Sequence, residues 1–306
     1  MIQKEIKQLI KKFVYRRENW TIGICIADSS LHFQPVSNIK NPVLTAKHVR
    51  DIQAEFVADP FVIRKDDLWY MFFEALNTAD GLGDICLATS TDFFNWSYQQ
   101  VVLNEPFHLS YPYVFEWNDE YYMIPETYQA NEIRLYKAKN FPYQWVFEKT
   151  LLTGADYVDS SLVYFNEKWW MFSSTTSNDT LYLHYAEDLL GQWVEHPASP
   201  IIEHNSCFAR PAGRIFNWHN HLVRLAQDDE LAYGRQVYAF KVLELTAHSY
   251  REQQMLDGKP MLKAGGSGWN AIGMHHCDLH QIDLNRWAAC VDGRGKPTLG
   301  LNFFSP

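Results

Sequence analysis

A repeat of about fifty residues constrains this chain more than any other feature. Four segments share one pattern: DPFVIRKDDLWYMFFEAL (59–76), YPYVFEWNDEYYMIPETY (111–128), DSSLVYFNEKWWMFSSTT (159–176) and RPAGRIFNWHNHLVRLAQDD (210–229). Each opens on a polar or aromatic anchor followed by a small residue or proline. An apolar alternating run, a short polar turn (KDD, NDE, NEK or WHN) and an aromatic-rich run complete it. Period-two runs around a turn predict a β-hairpin. The anchors Asp59, Tyr111, Asp159 and Arg210 are separated by 52, 48 and 51 residues. A period near 50, at about four strands per unit, belongs to β-propeller blades.

The second half of each unit repeats as well, in 83–96, 131–145, 179–193 and 235–250. Trp96, Trp145 and Trp193 hold one phase there and read as packing residues between blades. A weaker fifth unit, MHHCDLHQIDLNRWAACVDG (274–293), follows. WTIGICIADSSLHF (20–33) looks like the missing outer part of that blade, and pairing the two would close the ring without an open edge. The expected fold is therefore all-β, a five-bladed β-propeller over 20–306, preceded by a short amphipathic N-terminal helix over 1–19. Residues 251–270, rich in glycine, are expected to form a long loop or irregular insertion.

Composition narrows the function. The net charge of −9 offers no basic stripe for nucleic acid. Five cysteines without CxxC spacing read as reduced core thiols. Apolar Ile2, Ile6, Ile10, Phe13 and Val14 interleave with lysines and arginines, so the N-terminal helix would pack on the domain or a partner, or touch a membrane surface. The N-terminus has no apolar stretch before a small-residue cleavage site, and the expected location is the cytoplasm. GxSxG, P-loop and HExxH motifs are all missing. GLGD (81–84) and GGSGWN (265–270) lack the strand–turn–helix context of a phosphate loop.

In a propeller the innermost strands line a central channel, so the anchors converge. Asp59, Tyr111, Asp159, Arg210 and His275 or His276 are expected around one pocket. Glu74 and Glu126, each 15 residues after its anchor, stand behind them. The fourth repeat ends on Gln227, Asp228 and Asp229. Buried unpaired carboxylates are costly, so salt bridges between blades compete with a functional reading for each acid. Paired carboxylates suit glycoside hydrolysis, where one protonates the leaving oxygen and the other activates water or attacks the sugar. Arg210 would suit a carboxylate or phosphate, with Arg235 as a second contact. As neighbours on a strand, His275 and His276 would face opposite sides, so at most one would reach the channel and a weakly held cation.

FVADPF (56–61), ICLATSTDFFNW (85–96), VDSSLVYFNEKWWMF (158–172) and GMHHCDLH (273–280) resemble the blade signatures of the family 43 glycoside hydrolase superfamily. Over roughly 20–290 the chain is more closely similar to the N-terminal domain of plant glucosamine inositolphosphorylceramide transferases and their bacterial relatives. HLSYPYVF…YYMIPE (108–126) is the most specific stretch. The hydrolase resemblance implies a general base at Asp59, a pKa-tuning carboxylate at Asp159, and a histidine, His276 or His275, near a central divalent cation such as calcium. No cofactor is otherwise required. Those hydrolases carry their acid at the start of the fourth blade, where this chain has Arg210–Pro211; independently of the resemblance, Glu126 in the second blade is expected to stand in as the acid. Two functions follow as expectations. One is binding and cleavage of a glycan or glycoconjugate, an anionic one if Arg210 meets it. The other is a non-catalytic sugar-binding module serving a partner enzyme of polysaccharide or glycolipid biosynthesis.

Overall fold

The computed structural model describes residues 14–28, 31–36, 39–283 and 286–301. Five antiparallel sheets form the blades. The first three run in chain order from their inner strands, Ala54–Lys65, Ser110–Trp117 and Tyr157–Phe165, to their outer strands, Ser97–Leu103, Gln144–Thr153 and Val194–Glu195. The fourth runs from Phe216–Trp218 through His221–Gln227 and Gln236–Leu245 to Tyr250–Gln254. The fifth takes Cys277–Gln281 and Trp287–Arg294 from the C-terminal part, then Trp20–Ala27 and Phe33–Pro35 from the N-terminal part. Trp20 pairs with Arg294 and Ala27 with Trp287, so the ring closes by joining distant ends of the chain. Among the described residues no helix is long and apolar enough to cross a membrane.

Two expectations need correction. Residues 1–13 of the predicted helix lie outside the described residues. Its remaining stretch is strand: Val14–Arg17 pairs antiparallel with Thr298–Leu301, in register from Val14↔Leu301 to Arg17↔Thr298. The partner lies nearly 300 residues away, so local helical spacing could not reveal it. The stretch 251–270 is also more ordered than a loop. Tyr250–Gln254 is the outer strand of blade four, and Leu262–Lys263 adds a further strand on Gln236–Val237. Arg251–Gln254 is polar on both faces, as suits an edge strand, and so carries no apolar alternation.

The blades form where turn chemistry and alternation agree. In blades one to four the inner hairpin has a two-residue loop, closed by the pairs Lys65↔Leu68, Trp117↔Glu120, Phe165↔Lys168 and Trp218↔His221. In blades two to four both loop residues have positive φ: Asn118 52° and Asp119 61°, Asn166 50° and Glu167 60°, His219 48° and Asn220 63°. This is the turn whose twist matches paired strands. Between blades the core is aliphatic and aromatic, with Phe61, Phe72, Met123, Leu162 and Met171 at most 1% exposed. The repeated tryptophans do more than fill space. The indole N–H of Trp96, Trp145 and Trp193 donates to the carbonyls of Phe93, Pro142 and Leu189 at 2.8, 2.9 and 3.2 Å, tying the turn before each outer strand. All five cysteines are unpaired, four of them buried.

Glu167 is exposed and occupies a left-handed position that favours glycine. Glu167→Gly is expected to raise stability by roughly 0.5–1 kcal/mol after glycine's own entropic cost. Glu167→Val is expected to lower it, and urea midpoints for the pair check both signs.

Candidate functional site

The anchors are set by one backbone device repeated in three blades. Asp59, Tyr111 and Asp159 adopt φ of 53°, 46° and 49°. Each begins a bulge in which two residues oppose one: Asp59–Pro60 against Phe73, Tyr111–Pro112 against Pro125, and Asp159–Ser160 against Ser173. A left-handed non-glycine residue costs of order 1–3 kcal/mol, and a bulge re-aims the side chain it carries. Asp59 sits well inside its strand rather than at the start, so the bulge and not the strand end marks the channel mouth. Blade four departs from this. Gly213 carries the positive φ, 132°, and a Cβ there would lie 2.0 Å from the Cys277 carbonyl oxygen. Arg210 stands before that junction, its carbonyl accepting from Gln227 N–H at 2.9 Å.

A cavity of about 160 Å³ opens between these elements, with Asp59, Glu74, Glu126, Arg210 and His275 among its walls. Glu74 is cross-strand from Ala58 and Glu126 from Ser110, which places both acids behind the bulges. Arg210 is held by three acceptors: Nε to Asp159 Oδ2 at 2.6 Å, Nη1 to Asn178 Oδ1 at 2.7 Å and Nη2 to Glu126 Oε2 at 3.4 Å. Gln227 Nε2 donates to the same Asp159 oxygen at 2.7 Å. The guanidinium expected to meet an anionic ligand is thus occupied by the protein's own acids.

In the fifth blade Asp292, fully buried, accepts from the backbone N–H groups of His275 at 3.0 Å, His276 at 3.1 Å and Asp59 at 3.3 Å. Its Oδ2 lies 2.6 Å from His275 Nδ1. That contact is an ion pair off the ring N–H direction, since Nδ1 has no aligned hydrogen bond. Trp20 stacks on His275 with ring centroids 4.0 Å apart, and Tyr233 meets it edge-on at 5.3 Å.

Burial decides the protonation states. It pushes Asp59 up to about 7, with His275 pulling down and Asp159 and Asp292 pushing further up. Glu74 and Glu126 are raised well above the ordinary glutamate range by burial and by the neighbouring carboxylates, against which Arg210 lowers Glu126. His276 is lowered to about 4 by burial, and its Nε2 donates to the Pro60 carbonyl at 3.1 Å. Burial also lowers His108 to about 4. Its Nδ1 accepts from Gly83 N–H at 2.9 Å, so Nε2 carries the proton and faces Glu74 Oε1 at 3.4 Å. His275 is held up at about 9 by Asp292 against the cost of burial.

The structure brings Asp59, Glu74, Glu126, Asp159, Arg210, His275 and His276 together. The two histidines do not diverge as strand neighbours would. They precede the strand Cys277–Gln281, and their Nδ1 atoms lie 4.0 and 3.9 Å from Asp59 Oδ1. Tyr111 is turned down the channel instead. Its hydroxyl contacts Ser161 Oγ at 2.8 Å and accepts from Gly213 N–H at 2.6 Å, bolting three blades together. Asp228 is occupied in closing its own loop, accepting from Gln236 Nε2 at 2.7 Å and Glu230 N–H at 3.1 Å. Arg235 is not among the cavity walls. Sequence reasoning missed Asp292, His108, Tyr233 and Trp20. It noted Gln227 at the end of the run that Glu74 and Glu126 end in their repeats, but gave it no role.

For a cation, Asp59, Asp292 and His275 offer one donor atom each, all within 4.8 Å of one another. Two carboxylates and an imidazole form a mixed oxygen and nitrogen set. The His275 and His276 Nδ1 atoms, which face Asp59 and make no aligned hydrogen bond, fit such a group.

The model of the family "Glucosamine inositolphosphorylceramide transferase 1, N-terminal" matches residues 16–294. The chain belongs to this family. A rice relative (Oryza sativa subsp. indica), glucosamine inositolphosphorylceramide transferase 1, is 35% identical over 302 residues, covering 92% of this chain and 40% of the relative. The chain therefore spans about two fifths of the length of the curated relatives it matches. Among solved structures, the catalytic domain of Coprinopsis cinerea GH62 α-L-arabinofuranosidase matches with a TM-score of 0.58 at 15% identity, over 90% of this chain and 97% of that one. Bacteroides ovatus xyloglucan PUL GH43B matches with a TM-score of 0.55 at 11% identity, over 74% and 48%. At such identities these likenesses establish the five-bladed fold, shared with families 43 and 62 of the glycoside hydrolases.

Glu74 yields a pH test. Its carboxyl is raised in the folded state from 4.5, so the unfolded chain releases this proton first. The stability linked to it is present below pH 4.5 and lost as pH rises. Glu74→Gln keeps an acceptor for His108 and removes that loss. The variant's urea midpoint is expected to match wild type at pH 4 and exceed it at pH 8.

Proposed function

We propose that the central pocket binds one sugar residue of a glycoconjugate, and that the propeller serves glycoconjugate biosynthesis beside a glycosyltransferase activity. The observation that carries this reading is Arg210. It stands in the fourth blade and holds both Glu126, the expected substitute acid, and Asp159, so the acid of a hydrolytic pair is engaged with a fixed cation. The relatives support the biosynthetic side, being named as glucosamine inositolphosphorylceramide transferases. Arg210 is taken by Asp159 and Glu126, and His275 by Asp292, so neither cation is free to meet an anion, which favours a neutral sugar or an amino sugar over an anionic one.

A second reading, hydrolysis, is favoured by one observation. Asp59 is pushed up to about 7 and Glu74 is raised well above the ordinary glutamate range in the same cavity, as suits a base and an acid. The two readings separate in one experiment. Glucosamine, glucose and N-acetylglucosamine are screened by thermal shift, and aryl glycosides by chromophore release. Ligand at 100 times Kd stabilises by about 2.7 kcal/mol. The expected result is stabilisation by a sugar, no aryl-glycoside turnover, and loss of the shift in Asp59→Asn. Turnover abolished by Asp59→Asn would replace the binding reading with hydrolysis.

The reading includes a divalent cation held by Asp59, Asp292 and His275. Such an ion would supply a Lewis-acidic contact for sugar hydroxyls and balance the Asp59 and Asp292 carboxylates. Binding would displace the His275 proton, so it strengthens with pH. Calcium and manganese chlorides are each expected to raise the melting temperature at pH 8 more than at pH 6, reversibly with EDTA. His275→Ala is expected to remove the effect, and no metal response at either pH would exclude the ion.

A further inference from the structure

A second cavity, of about 450 Å³, opens beside the central one and gathers no comparable cluster of acids. Trp20 lines both. So does the first inner strand, which presents Ala54 and Glu55 to the larger cavity and Ala58 and Asp59 to the smaller. Phe56, next to Glu55, also lines the smaller cavity, so the two spaces adjoin along one edge of the channel mouth.

The far wall of the larger cavity is Trp269, on the glycine-rich GGSGWN stretch that the central site does not use. Its indole is seated on two glycines of the fifth blade. A Cβ on Gly23 would lie 2.5 Å from Trp269 Cη2, and one on Gly293 would lie 2.3 Å from Cζ3. Any side chain at either position would lift the ring. One side of Trp269 thus rests on bare backbone while the half-buried residue lines the cavity. The polar walls are held in place. Glu55 Oε1 accepts the Glu18 N–H at 3.0 Å, and Glu18 Oε2 pairs with Arg294 at 2.7 Å. Lys47 stands exposed on the Ala46–His48 turn.

A supported indole beside carboxylates and an ammonium is the chemistry that receives a pyranose, with its apolar face on the ring and its hydroxyls to the charged groups. We propose that this cavity is a second saccharide subsite, taking the sugar residue linked to the one in the central pocket. The inference rests on the sugar-binding reading above and extends it to a ligand of at least two residues. Trp269 supplies the stacking platform, and Lys47 and Glu55 contact the hydroxyls.

The test is isothermal titration of the full chain with glucosamine and glucose, and with the di- and trisaccharides of each. At least one series is expected to bind roughly three- to tenfold more tightly as the disaccharide than as the monosaccharide. Trp269→Ala is expected to erase that gain and leave monosaccharide affinity unchanged. Lys47→Ala, at an exposed position that cannot unfold the ring, is expected to reduce the gain in the same sense, and it decides the matter if Trp269→Ala proves unstable. Equal affinity for mono- and oligosaccharides, or a gain untouched by these substitutions, overturns the subsite and leaves the central pocket standing. Binding of no saccharide at all overturns the sugar-binding reading and the subsite together.

Discussion

The Asp292 carboxylate is the contact on which the rest depends. It is fully buried and takes backbone N–H groups from Asp59, His275 and His276 while pairing with the His275 imidazole. A buried anion is tolerated only when its oxygens are satisfied, and these donors come from both the first and the fifth blade. Asp292 belongs to Trp287–Arg294, which lies between Cys277–Gln281 and the N-terminal Trp20–Ala27. The strand pairing that closes the ring therefore also positions the acid that orients the site. Asp278 repeats the arrangement lower in the channel, accepting the Val62 N–H at 2.6 Å and pairing with Arg214 at 2.8 Å. Closure and site share one seam.

The bulges add the second constraint. A regular inner strand would send alternate side chains into the two neighbouring blade interfaces. The extra residue at Asp59, Tyr111 and Asp159 breaks that alternation and rotates one side chain toward the axis. The strain is of order 1–3 kcal/mol per position, and fifty-residue blades with apolar interfaces supply enough packing to hold it. Only two of these positions send an acid to the site. Tyr111 uses the same backbone geometry to join its blade to Ser161 and Gly213, so the device is architectural first and chemical where the residue type permits.

Acids crowded in a buried space must protonate, pair or bind a cation, and this pocket provides for all three. Burial and the neighbouring carboxylates push Glu74 toward its protonated form. Asp159 pairs with Arg210. Asp59 faces His275 and Asp292 in a mixed donor set. The ring shares the five-bladed architecture of glycoside hydrolases, while Arg210 engages Asp159 and the expected acid, Glu126.

The hairpins, the blade count and the inner-strand anchors were legible in the sequence, because alternation, turn residues and a fixed period are local properties. NDE, NEK and WHN announced their turns, and Asp59, Asp159, Glu74 and Glu126 were placed by phase alone. The pairing of Val14–Arg17 with Thr298–Leu301 was not legible, since helical spacing is local and this partner is remote. The meaning of Arg210 was hidden for a related reason: residue type announces a charge, but whether that charge awaits a ligand depends on the acids folded against it. His108, Tyr233, Trp20 and Asp292 come from segments outside the repeated anchors, and no period could bring them together. The sequence by itself determined a five-bladed ring with acids at its mouth. Only the tertiary structure decided which acids are paired, which stay protonated and which remain to meet a ligand, because a buried carboxyl's state is set by neighbours that the chain supplies from far away.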